Sequence, residues 1–427
     1  MTITLIILFA VLLIAGFPVV FALAISAFGA VLIEGKYPVI VVVKEMFTGL
    51  DSFPLMAVPF FVLAAELMTG GAMTQVLLRF AAQFFGRVRG GLGYANVLSS
   101  TLFAGISGSA LADAAGPGAM MIKMMEKDGY SRAYAGALTA SASVVGPIIP
   151  PSITMIIYAM QDPEVSVGSL FMAGLLPGLL ISGAYALVNY IQSRRHNYRS
   201  DNPVPPIMVM LKNTVQAVPA LGLIVLIVGG IRSGMFTPTE ASVVAVFYAL
   251  LCGMFVYRSL KLSALPGIIL SAGLTSGAIL LILASARAFA WVLIIERMPQ
   301  SAALFISDLN LSPILFLLAV NVGLILFGCV MDPLPGVMIL VPILAPIAHA
   351  MGIDPTHFAI VVIVNLTMGL VTPPVGSLLF VVSSVGKIPV NAILREMPAF
   401  MIANVAILLT LCFVPAISTY LPSISGF

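Results

Sequence analysis

Four apolar runs in this chain are longer than one membrane crossing requires, and each is broken near its centre by glycine and proline. Apolar segments run at approximately 3–15, 18–33, 54–69, 92–125, 132–160, 165–191, 214–231, 238–257, 267–295, 312–350, 355–386 and 397–421. Hydrophobic residues make up 61% of the 427 and charged residues 8%, whereas a soluble domain carries about 25% charged residues. The solvent for most of the chain is therefore lipid, which excludes a soluble enzyme, a disordered chain or a nucleic-acid binder. The expected fold is an all-α polytopic membrane protein. The run from Ile3 to Ile33 has no Lys or Arg before it and no small-residue cleavage site, so it reads as mature membrane structure. Cys252, Cys329 and Cys412 stand alone in apolar surroundings and read as small core residues rather than disulfide or metal ligands.

A simple span needs about 20 residues, and the four long runs depart from it in two ways. In 92–125 the interruption is Gly105-Ile-Ser-Gly-Ser109, then Asp113 and Gly116-Pro-Gly118. The arm leading in has about 13 apolar residues, or roughly 20 Å of helix, too short for roughly 30 Å of hydrocarbon. A re-entrant hairpin with its irregular tip buried in protein or facing a wet cavity is the natural solution. Segment 312–350 repeats the plan around Gly328-Cys-Val-Met-Asp332-Pro-Leu-Pro-Gly336. In 132–160 the break is Val145-Gly-Pro147-Ile-Ile-Pro150-Pro151, and in 355–386 it is Gly369-Leu-Val-Thr372-Pro373-Pro374-Val-Gly376. Proline has no N–H and clashes with the preceding turn, so each of these becomes two half-helices with freed carbonyls.

The devices recur at a fixed distance: 373 − 150 = 223 for the proline pairs and 328 − 105 = 223 for the hairpin glycines, with Pro18 mapping to Pro238 at 220. The chain thus reads as a tandem duplication, with repeat 1 over 1–192, a cytoplasmic linker over 193–213 and repeat 2 over 214–427. Arg79, Arg87, Arg89, Lys123, Lys127, Arg132, Arg194, Arg195, Arg199, Lys212, Arg258, Lys261, Lys387 and Arg395 are 14 of the 19 basic residues. All lie on one face if each hairpin returns to its side of origin, and that face is cytoplasmic. Met1 and Phe427 are then outside, the first hairpin opens inward and the second outward. Each half crosses five times, an odd number, so the halves are inverted, as in many secondary transporters. Segments 36–51 and 258–267 read as matching interfacial helices.

Buried charge is costly in a membrane, and here it reduces to Glu66, Asp113, Arg287 and Asp332, with Glu240 near an outer boundary. A carboxylate beside free carbonyls and hydroxyls suits a hard cation. One candidate cation site joins Ser107, Gly108, Ser109 and Asp113 to Val145, Gly146 and Pro147. Its counterpart joins Gly328, Val330 and Asp332 to Gly369 and Thr372. Sodium fits better than a transition metal, since no His, Cys or thioether cluster accompanies these oxygens. The competing reading has Asp113 and Asp332 capping half-helices. Half-helix N-termini attract anions, so Ser109, Ser143, Asn365 and Thr367 are candidates to bind an acidic substrate. Arg287 either pairs with a substrate carboxylate, serves Glu66 as a structural partner or snorkels outward. His349 and His357 read as interfacial residues at the outer end of the second hairpin. No cofactor motif is present, and no phosphate loop.

The combination of Gly105-Ile-Ser-Gly-Ser109 with Asp113, Gly146-Pro-Ile-Ile-Pro-Pro151, Gly230-Ile-Arg-Ser-Gly-Met-Phe-Thr-Pro-Thr-Glu240-Ala and Asn365-Leu-Thr-Met-Gly-Leu-Val-Thr-Pro-Pro374 resembles the large membrane subunit of tripartite ATP-independent periplasmic (TRAP) transporters. The resemblance covers essentially the whole chain. It implies an elevator-type fold in a bacterial inner membrane and sodium-driven uptake of an organic acid, without enzymatic activity. It further implies a separate small membrane subunit and a periplasmic binding protein as partners. Carried over by motif, the sodium pattern falls on Ser107, Ser109, Asp113, Gly146, Gly328 and Thr372. The sequence most resembles large subunits for sialic acid, with C4-dicarboxylates and keto acids as further substrate classes. A stand-alone sodium/carboxylate symporter with the same hairpin logic is the nearest rival. An intramembrane aspartyl protease using Asp113 and Asp332 as its dyad is a remote one.

Overall fold

The computed structural model describes residues 1–69, 72–86, 88–198, 205–309 and 311–426, and every regular element among them is helical. Arg87 and Arg199 of the basic set, the middle of the 193–213 stretch and Phe427 lie outside the described residues. The first half consists of α1 (Thr2–Ile14), α2 (Val19–Glu34), α3 (Ile40–Thr48), a 3₁₀ turn at Phe53–Met56 leading into α4 (Ala57–Thr69), and α5 (Met73–Gln83). Then come α6 (Gly91–Ser107), α7 (Ala110–Asp113), a π turn at Ala114–Gly118, α8 (Ala119–Lys127), α9 (Arg132–Ser143), α10 (Ile153–Gln161) and α11 (Val167–Arg195). The second half has α12 (Ile207–Arg232), α13 (Pro238–Leu251) with a π turn to Val256, and a 3₁₀ turn at Leu262–Ala264 running into α14 (Leu265–Ile295). It continues with α15 (Met298–Asp308), α16 (Pro313–Gly328), α17 (Pro333–Ala350), α18 (Pro355–Gly369), α19 (Ser377–Gly386), α20 (Val390–Glu396), α21 (Pro398–Phe413) and α22 (Ala416–Ser425).

Among the described residues, five helices are long and apolar enough to cross a membrane: α11, α12, α13 with its π turn, α14 with its leading turn, and α17. Three further pairs qualify together but are bent: α3 with α4 by 69°, α19 with α20 by 115°, and α21 with α22 by 56°. Proline supplies the first residue of α13, α16, α17, α18 and α21, the helical position where its missing N–H costs nothing. Glu240 serves a local purpose. Thr237 and Glu240 form a reciprocal capping box, the Thr237 N–H donating to Glu240 Oε2 at 2.8 Å.

The 223-residue spacing reappears in the helix starts. The returning hairpin arms begin at Ala110 and Pro333 (333 − 110 = 223), the broken spans at Arg132 and Pro355 (355 − 132 = 223), and the following helices at Val167 and Val390 (390 − 167 = 223). The segments related by this spacing are intertwined rather than side by side. The half-helix α10 packs on α17, while its counterpart α19 packs on α8 and the adjoining π turn, the counterparts of α17. Around this core, α4 packs on α13 and α14, and α14 also touches α2 and α3.

The structure shifts several sequence expectations. The first break starts at Gly108 rather than Gly105, because α6 continues to Ser107 and Gly108 takes a left-handed φ of +58°. Asp332 is therefore the counterpart of Ser109 (332 − 109 = 223), both standing immediately before the returning helix, and Asp113 has no acidic counterpart. Segment 36–51 contains the short helix α3, but 258–267 forms no separate helix and merges into α14. His357 is 1% exposed, its Nδ1 within 2.7 Å of Ser418 Oγ, so it is a core residue rather than an interfacial one.

The breaks fit together at glycines. A Cβ on Gly369 would lie 2.5 to 2.7 Å from the backbone of Gly328, and one on Gly146 would lie 2.9 Å from Ser109 and Ala110 backbone. A Cβ on Gly108 would lie 2.5 Å from the Pro151 carbonyl oxygen. Backbone cannot yield as a side chain can, so Gly369→Ala is expected to destabilise by roughly 1–3 kcal/mol. In detergent it should melt measurably below the parent. Gly229→Ala, in α12 with no atom within 4 Å of its new Cβ, should not.

Candidate functional site

The hairpin tips and half-helices surround a cavity of about 630 Å³. Ser107, Gly108, Ser109 and Ala110 line it from the first hairpin, Pro147, Ile153 and Thr154 from the first broken span, and Asp332, Pro333 and Leu334 from the second hairpin. Glu66 and Thr69 on α4 and Thr275, Ile279 and Ile282 on α14 close the opposite wall. Most of its lining is apolar, so the few hydroxyls and two carboxylates set its chemistry.

Beside this cavity, the first candidate cation site is assembled from four segments. Asp113, at the end of α7, is fully buried, and neither carboxylate oxygen receives a hydrogen bond of standard geometry. The hydroxyls of Ser143 on α9 and Ser100 on α6 face it, and the Ser143 hydroxyl is itself unpartnered. Ser109 caps α7, its Oγ accepting from the Ala112 N–H at 3.4 Å, while the Ser109 N–H donates to Ser107 Oγ at 3.4 Å. Gly146 packs its backbone on this tip, and the neighbouring Val145 is buried. A buried carboxylate without a partner is expensive, and one carboxylate among hydroxyls and carbonyls is a donor set that fits a hard cation.

The second candidate site is tied more tightly. Asp332 Oδ1 accepts from Ser377 Oγ at 2.9 Å, and the Gly376 N–H donates to the Cys329 carbonyl at 3.1 Å. Gly328 and Gly369 are in backbone contact, and Thr372 Oγ1 donates to the Met368 carbonyl at 2.9 Å. Val330, whose aliphatic side chain has no donor atom, offers only its backbone carbonyl as a ligand.

Of the substrate candidates, Ser109 lines the central cavity and Ser143 faces Asp113. Asn365 is engaged in helix packing, its Nδ2 donating to Asn321 Oδ1 at 2.6 Å between α18 and α16. Thr367 Oγ1 donates back to the Ile363 carbonyl at 2.5 Å. Arg287 lies outside the central cavity, and its partner is Glu45 at 3.6 Å rather than Glu66. Sequence reasoning overlooked Ser100, Thr154 and Ser377. The last two were detectable, since 377 − 154 = 223 puts a hydroxyl just past the proline pair in both copies.

The family model of the tripartite ATP-independent periplasmic transporter, DctM component, matches residues 6–417. The chain is 36% identical over 413 residues to the sialic acid TRAP transporter large permease protein SiaM of Vibrio cholerae, covering 97% of this chain and 96% of that protein. It is 40% identical over 382 residues to the C4-dicarboxylate TRAP transporter large permease protein DctM of Pseudomonas aeruginosa, covering 90% and 89%. The solved YdaH transporter of Alcanivorax borkumensis superposes with a TM-score of 0.58 at 14% identity, over 90% of this chain and 87% of that one, a likeness of fold alone. These relatives are permeases, which removes the aspartyl-protease alternative. Over residues 6–417, the chain belongs to the DctM component family of tripartite ATP-independent periplasmic transporters, and is a multi-pass membrane permease rather than an enzyme.

Proposed function

We propose that this permease takes up an organic acid across a bacterial inner membrane, driven by a sodium gradient. A periplasmic binding protein delivers the acid, and a separate small membrane subunit completes the permease. The observation that carries the reading is the buried, unpartnered Asp113 carboxylate beside Ser143 and Ser100, next to a cavity that both hairpins line. Sodium is held there by Asp113, the two hydroxyls and the carbonyls around Ser107–Ser109 and Val145. A second ion is held by Asp332, Ser377, Thr372 and the carbonyls of Gly328, Val330 and Gly369. The acid binds in the central cavity among Ser107, Ser109 and Thr154. Glu66 and Asp332 would repel its carboxylate, so bound cations are needed to offset their charge, which couples the two binding events. Sialic acid is the favoured substrate, with C4-dicarboxylates and keto acids as the other classes. The two halves are inverted, with Met1 and the C-terminus periplasmic, and the hairpins and broken spans move as an elevator against a scaffold that includes α4 and α14.

Uptake into proteoliposomes containing the permease subunits, with the binding protein supplied outside, should need an inward sodium gradient and no ATP. Undiminished uptake with choline replacing sodium would overturn the reading. Asp113→Asn keeps shape and capping ability but removes the charge at the first ion site. A loss on the order of 1–3 kcal/mol of coupling corresponds to a roughly 5- to 150-fold weaker sodium response. An unchanged half-saturating sodium concentration would instead assign Asp113 to structure. The inversion has its own test at Glu164 and Lys387, equivalent positions in the two copies (387 − 164 = 223) and both exposed. Single cysteines there should label from opposite faces, Glu164→Cys from the periplasm and Lys387→Cys from the cytoplasm.

A further inference from the structure

A second cavity, of about 460 Å³, shares no lining residue with the central one. It lies between the α3–α4 bend, the α10–α11 connection, Met338 on α17 and Arg287 on α14, and its polar lining is Thr48, Ser52, Gln161, Ser166 and Arg287. Arg287 stands eight residues before the end of α14 (295 − 287), about 12 Å along the axis.

The arginine is built into this wall. A Cβ on Gly49 would come within 2.7 Å of both Cβ and Cγ of Arg287, so the glycine ending α3 makes room for the shaft. The guanidinium Nε is 3.6 Å from Glu45 Oε2 and makes no hydrogen bond, so it is attracted to one carboxylate without being saturated by it. The N-terminus of the 29-residue α11 lies in the same lining. Ser166 caps the Ser169 N–H at 3.0 Å, and the Val167 and Gly168 amides have no partner within the helix. That end carries partial positive charge. Of the nearby loop acids, Asp162 and Glu164 lie against His349, whose Nε2 is 3.2 Å from Asp162 Oδ2 and Nδ1 3.4 Å from Glu164 Oε2. Asp51, between the lining residues Gly49 and Ser52, is exposed.

We propose that this cavity is a carboxylate-binding station separate from the central site, in which Arg287 exchanges Glu45 for the carboxylate of the organic acid. The inference rests on the reading of the chain as an organic-acid permease, which places the α10–α11 connection on the periplasmic side from which the acid arrives. The planar guanidinium offers two parallel donors to a carboxylate, and the hydroxyls of Thr48, Ser52 and Ser166 are at hand for the acid's other polar groups. The volume suits a small organic acid.

The test places a cysteine at Ser52 and measures its modification by an anionic and a cationic methanethiosulfonate reagent in nanodiscs. The anionic reagent should be favoured, and Arg287→Gln should cut that preference about tenfold. Glu45→Gln, which frees the arginine, should raise it. Millimolar sialic acid or succinate should slow the anionic reagent with Arg287 present and not in Arg287→Gln. An equal charge preference with and without Arg287, or no protection by either acid, overturns the proposal. An Arg287 that only braces Glu45 would give the same loss in both variants. Because the readout needs no transport or sodium, it stands apart from the uptake experiment: sodium-independent uptake with intact protection would sink only the coupling mechanism.

Discussion

An unwound stretch of backbone inside a membrane exposes N–H and C=O groups that lipid cannot satisfy, and in this protein each unwound stretch lies against another. Gly146 meets Ser109 and Ala110, Gly108 meets the Pro151 carbonyl, and Gly369 meets Gly328, all at distances only a missing side chain permits. The Gly376 N–H closes on the Cys329 carbonyl, and Ser152 Oγ donates to the Pro147 carbonyl at 2.5 Å. Tip and break thus satisfy and exclude one another's neighbours. The intertwining follows, because α10 and α19 each leave their own break toward the other copy's hairpin.

The same contacts explain where charge can be tolerated. A carboxylate buried without a partner is costly, and Asp113 sits where the hydroxyls of Ser143 and Ser100 face it. Asp332 and Glu66 line the central cavity instead. Arg287 belongs to neither. Gly49 lets it cross to a second cavity where, among the described residues, its ion-pair partner is Glu45 at 3.6 Å. The acids thus lie in the middle of the fold and the arginine at its side, apart from them.

The membrane class, the four broken runs, the 223-residue repeat and the acids near the breaks are written in local composition. Each depends on residue type and spacing along the chain: apolar length, the missing N–H of proline, the αL freedom of Gly108. The helix starts at Ala110, Arg132 and Val167 with their counterparts follow that spacing without exception. Even the hydroxyls at Thr154 and Ser377 were present in the repeat, had the spacing been applied to every polar residue.

What sequence left open were choices among partners. Nothing local distinguishes Glu45 from Glu66 as the companion of Arg287, since that depends on how α3 folds back at the 69° bend to lie against α14. Nor does it separate Ser143, which turns to Asp113, from Asn365 and Thr367, which turn to Asn321 and to their own helix. All three are polar residues near a break. A helix presents neighbours in sequence at 100° intervals, so which faces the cavity is fixed by the rotation each half-helix adopts when it packs. That rotation is decided by tertiary packing, α18 lying mainly against α16 and α17 and α9 mainly against α6 and α8, with α11, α19 and α20 of the other half adding further contacts.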